Sequence, residues 1–236
     1  IAAFKEAGGT VEYAQRFTSA ANAQGYLFRG NQLPQLYALG LSAEEVINFK
    51  DTPKPNALLV YGIAGGGTFR MPPALQLYAE IGKSYDRKVV VAAMEEEVYA
   101  ALDPQLDFEL MMVSGHGTKT ALSLGDYDSR RGLAAESYQL DVSDREFSAY
   151  LHFLNPRAVI FLNSCSTAED GLEAVNLANS IAMWADGRSL IAAQEVLKNN
   201  KITIKSSYPF DVLLEDAKGE RDITYRTLFR VNIFYP

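Results

Sequence analysis

With 236 residues, 48% of them hydrophobic and 22% charged, the sequence has enough apolar material for one substantial core, or one core plus a small appended subdomain. A formal net charge of −7 argues against a nucleic-acid partner, which would call for Lys and Arg facing phosphate, and no apolar run approaches the roughly 18–20 residues of a membrane helix. One cysteine excludes an internal disulfide framework and, with only two histidines, argues against a closed zinc site, so the expectation is a soluble chain, cytoplasmic or exported, with no metal and no cofactor.

The sequence opens on Ile1 rather than Met, so a processed or trimmed chain is expected, with any targeting arm outside it. Residues 1–55 are predicted to form an N-terminal helical segment. TVEYAQRFTSAANAQ carries few helix breakers, and Ser42 and Glu45 in SAEEVINF have the spacing of a capping box. DTPKPN, residues 51–56, stops any helix with two prolines and marks the boundary to a second unit, residues 56–236.

Short apolar runs then alternate with helical patterns. NALLVYGI is predicted as a strand and PPALQLYAEIGKSY as a helix with Pro72 and Pro73 in its first turn. KVVVAAM is a strand, EEEVYAAL a short helix with an acidic start, and FELMMVS a strand. TALSLGDYD suggests a hairpin. SDREFSAYLHFL is a helix with a capping box from Ser143 to Glu146, AVIFLNS a strand, LEAVNLANSIAMWA a helix and SLIAAQE a strand. The tail is β-rich, including KITIKS and TLFRVNIF. Near-continuous apolar strands alternating with helices imply an α/β fold, a mostly parallel sheet covered on both faces.

In such a sheet ligands gather outside the carboxyl ends of the strands. His116 in FELMMVSGHG and Cys165 in AVIFLNSCST each fall just past a separate strand. A thiol near its ordinary pKa of about 8.5 is mostly protonated at neutral pH, and the thiolate is the nucleophile. A neighbouring imidazole can favour the thiolate and later protonate a leaving amine. Gly117 lacks a side chain, so its N–H can approach a substrate carbonyl. With the N–H of Cys165 it would form an oxyanion hole worth about 3–4 kcal/mol in the transition state.

An apolar strand ending in His-Gly, followed by an apolar strand ending in a cysteine, resembles the caspase-like (clan CD) cysteine peptidases. A histidine about 50 residues upstream of the cysteine is also caspase spacing. The resemblance covers about residues 57–195 and leaves the N-terminal helices and the β-rich tail unassigned. It implies a caspase-like fold and endopeptidase activity on protein or peptide substrates, with His116 as the dyad histidine, Gly117 as the glycine after it and Cys165 as the nucleophile. Asn163-Ser164 precedes the cysteine where caspases have Gln-Ala and legumains Glu-Ala; SCST followed by NLANSIAMWADGRSLIAA is similar to the bacterial and CHAT-type branches.

The specificity pocket stays open at this stage, with Asn163, Ser164, Arg70 and Glu195 as candidate substrate-binding residues. Arg70, in the glycine-rich stretch GIAGGGTFR, would read an acidic side chain, as a caspase arginine does. Asp126, Asp128, Glu169, Asp170, Glu195 and Asp211 are acidic candidates for the opposite preference. His152, late in a helix among apolar residues, reads as a helix-end histidine favoured by the dipole. Ser164, Ser166 and Thr167 suit orientation or capping. Arg130-Arg131, in a polar loop, is a candidate for self-cleavage. Two further functions compete: a catalytically silent interaction or regulatory module of the same fold, and a nucleotide-binding enzyme using the glycines after the first strand. That stretch lacks the Gly-Lys-Ser/Thr of a P-loop.

Overall fold

The computed structural model describes residues 14–15, 54–63, 72–125, 138–197, 202–216 and 218–228. Several expectations lie outside these residues: the N-terminal helical segment except residues 14–15, which are helical, the Ser42–Glu45 capping box, and most of the glycine-rich stretch with Arg70. Asp126, Asp128, Arg130-Arg131 and the end of TLFRVNIF also lie outside them.

Strand β1 (Asn56–Gly62) is buried at every position. Its alternating side chains divide between two apolar clusters. Leu59 and Tyr61 pack with Leu110, Met112, Phe161 and Ile191, while Leu58 and Val60 pack with Met111, Val113, Ile160 and Leu162. A strand buried on both faces has no polar side to show, which is why its sequence is a continuous apolar run. The chain continues through α1 (Pro72–Ser84), β2 (Asp86–Ala92), α2 (Glu95–Ala101) and β3 (Phe108–Ser114), then three short strands β4 (His116–Gly117), β5 (Ala121–Ser123) and β6 (Gln139–Asp141). After α3 (Phe147–Leu151) come β7 (Val159–Asn163), α4 (Leu177–Trp184), β8 (Ser189–Ala193), β9 (Ile202–Ser207), β10 (Phe210–Leu214) and β11 (Thr224–Thr227).

The main sheet has six strands in the order β11-β8-β7-β3-β1-β2. Strands β2, β1, β3, β7 and β8 run parallel, and β11 closes the far edge antiparallel to β8. The α/β class and the largely parallel sheet agree with the sequence. Helices α2, α3 and α4 cover one face through Val98, Phe147, Leu151, Leu177 and Ile181. The other face is shared between α1, through Leu77 and Ile81, and the β9–β10 hairpin, through Phe210, Val212 and Leu214. No helix among the described residues is long and apolar enough to cross a membrane.

Two helices are shorter than expected, for the same reason. The Ser143–Glu146 capping box does not form. Ser143 instead donates its N–H and hydroxyl to Asp141 Oδ1 at 2.7 and 2.5 Å, and Asp144 Oδ2 accepts the Asp141 N–H at 2.6 Å. These side-chain contacts hold the backbone in a turn, and α3 starts only at Phe147. In residues 172–185 the cap is Asn176, whose side chain accepts the Asn179 N–H at 2.8 Å, so α4 begins after it. Of the hairpin expected in residues 120–128, Ala121–Ser123 form β5, the middle strand of a small antiparallel sheet ordered β4-β5-β6, and residues 126–128 lie outside the described residues.

Arg188 is buried, and burial of its charge is met by donation to the carbonyls of His152, Leu154, Ala185 and Asp186. His152 and Ala185 are the C-terminal caps of α3 and α4, so one guanidinium closes both helix ends. His152 itself is exposed, as a helix-end residue should be.

At the start of α2 the buried carboxyl of Glu95 comes together with buried Asp144 and exposed Glu146, their oxygens within 4.8 Å of one another. Burial raises both, Glu95 to about 7 with the charge of Asp144 adding to it, and Asp144 to about 6 with the charges of Asp141 and Glu146 adding to it. Both groups therefore hold protons more tightly folded than unfolded. Their contribution to stability is present at low pH and is lost as pH rises through about 7. Glu95→Gln, which keeps an acceptor for the Tyr99 hydroxyl, is expected to flatten the fall in urea midpoint between about pH 5 and 7.5. Parallel wild-type and variant curves over that range would contradict this assignment.

Candidate active site

Strands β3 and β7 are neighbours, and their register sets Ser114 opposite Asn163. His116 lies two residues beyond the first and Cys165 two beyond the second, so both emerge at the same rim. Asn163 Nδ2 donates to Ser114 Oγ at 3.0 Å and ties the two strand ends together. Past Ser114 the chain turns sharply into β4. A Cβ on Gly115 would lie 2.3 Å from the Ser123 carbonyl oxygen, so only glycine allows the small sheet to fold so close to the rim.

Gly117 makes the contact that joins the two halves. A Cβ there would stand 2.2 Å from the Cys165 carbonyl oxygen, 2.9 Å from Ser164 Cβ and 3.0 Å from the Cys165 nitrogen. The backbone of the His-Gly turn thus rests directly on the peptide of the cysteine. Lys119 adds two further ties: its carbonyl accepts the Leu177 N–H at 2.9 Å, and its Nζ reaches Asp170 Oδ2 at 2.6 Å.

The turn carrying Cys165 is firmly held. Ser166 adopts a left-handed backbone with φ 52°, and its N–H donates to the Glu195 carbonyl at 3.0 Å. Ala168 donates to the Ala193 carbonyl at 2.9 Å, and the Thr167 carbonyl accepts the Ala178 N–H at 2.9 Å. Ser164, expected among the substrate-binding residues, is buried, and its hydroxyl donates to Thr167 Oγ1 at 3.3 Å. With Asn163 engaged by Ser114, both residues before the cysteine brace the turn from within.

His116 is exposed and Cys165 half-buried, so both are reachable from solvent. The thiol donates to the Leu197 carbonyl at 3.8 Å, and no hydrogen bond links the imidazole to the sulfur among the described residues. Beside the cysteine opens a cleft of about 780 Å³, lined on one side by Ser166, Glu169 and Asp170 and at the exit of β8 by Gln194, Glu195 and Val196. Its third wall, Asp216, Lys218 and Glu220, belongs to the turn between β10 and β11. The sequence reading missed this wall. Its signal is the polar stretch DAKGERD with Gly219 at φ 74°, a turn by composition.

The other acidic candidates separate clearly. Asp170 and Glu195 line the cleft, Asp170 paired with Lys119 and Glu195 with Arg221. Asp211 is on β10, pairs with Arg226 at 3.0 Å and does not line the cleft.

No family model matches the chain, and no curated protein matches it. Among solved structures, the protein GSU0716 from Geobacter sulfurreducens is similar at 16% sequence identity over 63% of this chain and 74% of that one, with a TM-score of 0.34.

Gly117→Ala tests the apposition directly. The added methyl has no room against the Cys165 backbone, so the two turns must separate, at a cost of about 1–3 kcal/mol in urea unfolding. Unchanged stability would mean that the turns do not lie this close.

Proposed function

We propose that the chain is a cysteine endopeptidase of the caspase-like type, with His116 and Cys165 as its dyad. One observation carries the reading: the backbone of Gly117 lies against Cys165, which brings the imidazole-bearing turn and the thiol-bearing turn to one rim of the sheet. The largely parallel sheet and the position of both residues beyond its carboxyl ends are what such a site requires.

The chemistry follows from this placement. The thiol leaves the Leu197 carbonyl and turns toward the peptide. As sulfur attacks the carbonyl carbon, its proton passes to the His116 imidazole. The Ser166 N–H is committed to Glu195, so the N–H groups of Cys165 and Gly117 are the donors assigned to the developing oxyanion. The tetrahedral intermediate collapses, the C–N bond breaks, and the amine departs with the proton from the imidazole. Water, deprotonated by His116, then hydrolyses the thioester and regenerates the thiol. Neither a metal nor a cofactor enters these steps.

The thiol's contact with the Leu197 carbonyl, in place of the imidazole, favours a second reading: a catalytically silent module of the same fold that serves as an interaction or regulatory domain. Peptide cleavage separates the two. An endopeptidase cleaves members of a mixed fluorogenic peptide library, and Cys165→Ala or His116→Ala lowers kcat/KM by about a thousandfold or more. A wild-type chain that cleaves nothing, or a Cys165→Ala variant that cleaves as well as wild type, would refute the peptidase.

A further inference from the structure

The cleft beside Cys165 has a charge as well as a shape. Ser166, next in sequence to Cys165, lies on its wall. Its volume of about 780 Å³ accommodates a long side chain with its hydration. Five of the residues lining it are carboxylates, Glu169, Asp170, Glu195, Asp216 and Glu220, against the single cation Lys218.

Two of these carboxylates are already answered, Asp170 by Lys119 and Glu195 by Arg221. Glu169 and Glu220 have no ion-pair partner among the described residues. Asp216 Oδ1 accepts the N–H groups of Lys218 and Glu220 at 3.0 and 2.9 Å, which fixes the third wall and holds this carboxyl below its ordinary range. The three walls come from separate segments, the turn after β7, the exit of β8 and the β10–β11 turn. Their common feature is negative charge converging on one space bordered by Ser166, the residue after the cysteine.

Resting on the peptidase reading, we propose that this cleft receives a lysine or arginine side chain from the residue immediately before the cleaved bond, with Glu169 and Glu220 as the determinants of that preference. A cation entering here meets negative potential from several sides and leaves its own charge in contact with water at the mouth. An acidic side chain in the same place meets repulsion. The inference reverses the polarity expected if Arg70 set the specificity.

The test uses the intact chain and peptidyl acyloxymethyl ketones that differ only in the residue next to the ketone: Lys, Arg, Leu, Asn or Asp. Intact mass and peptide mapping read the labelling of Cys165. Lys and Arg ketones are expected to label it at least tenfold faster than the Leu ketone, and the Asp ketone most slowly. In the Glu169→Gln, Glu220→Gln double variant the Lys-over-Leu ratio is expected to fall at least tenfold. Labelling of Cys165 fastest by Leu, Asn or Asp would overturn the cationic preference while leaving the nucleophile in place, and an unchanged ratio in the double variant would remove Glu169 and Glu220 as its source. No labelling by any ketone would overturn both this proposal and the peptidase reading.

Discussion

The register between β3 and β7 is the constraint on which the site depends. Two parallel neighbours paired with Ser114 opposite Asn163 end at the same level, so whatever each chain places two residues later is delivered to the same rim. A slip of one residue would reverse the face of every side chain in β7 and bury its polar end. The register is held by the core itself, since Met111, Val113, Ile160 and Leu162 must meet on one face while Met112 and Phe161 meet on the other. Packing far below the rim thus fixes where His116 and Cys165 emerge.

Glycine converts that alignment into contact. At Gly115 the small sheet folds back to within side-chain distance of the rim, and at Gly117 one backbone rests on another. Around them the polar groups are arranged to hold rather than to react: Asn163 on Ser114, Ser164 on Thr167, Ser166 on Glu195. His116 and Cys165 are held less tightly: the imidazole is exposed, and among the described residues the half-buried thiol has one hydrogen-bond partner, the Leu197 carbonyl at 3.8 Å. A braced scaffold with solvent-reachable side chains at its rim is the arrangement that the proposed dyad would require.

Much of the main sheet was legible because strands buried on both faces must be apolar throughout, and β1, β3 and β7 announce themselves in this way. The rim positions of His116 and Cys165 followed from the same runs. Helix starts were less legible. Ser, Asp and Asn near 141–146 and at 176 offer the backbone side-chain partners that compete with helix, so α3 and α4 begin later than their apolar periodicity suggests. Register between strands was beyond reach, since a period of two gives the face of a residue but not its partner. The same limit hid the cleft, whose walls are separated by some tens of residues and converge only through the order of β7, β8 and the β10–β11 turn. The β9–β10 hairpin as a cover for one sheet face was also unreadable, because half-buried alternation does not say which surface it packs on.

The proposed dyad requires that an imidazole and a thiol delivered to one rim act as a pair. The most direct measurement is the rate of Cys165 alkylation by iodoacetamide at neutral pH in the wild type and in His116→Ala, with circular dichroism establishing that both are folded. If His116 draws the proton from the sulfur, the wild type reacts about tenfold faster or more. Equal rates in the two folded proteins would show a thiol indifferent to its neighbour, and the dyad would fall.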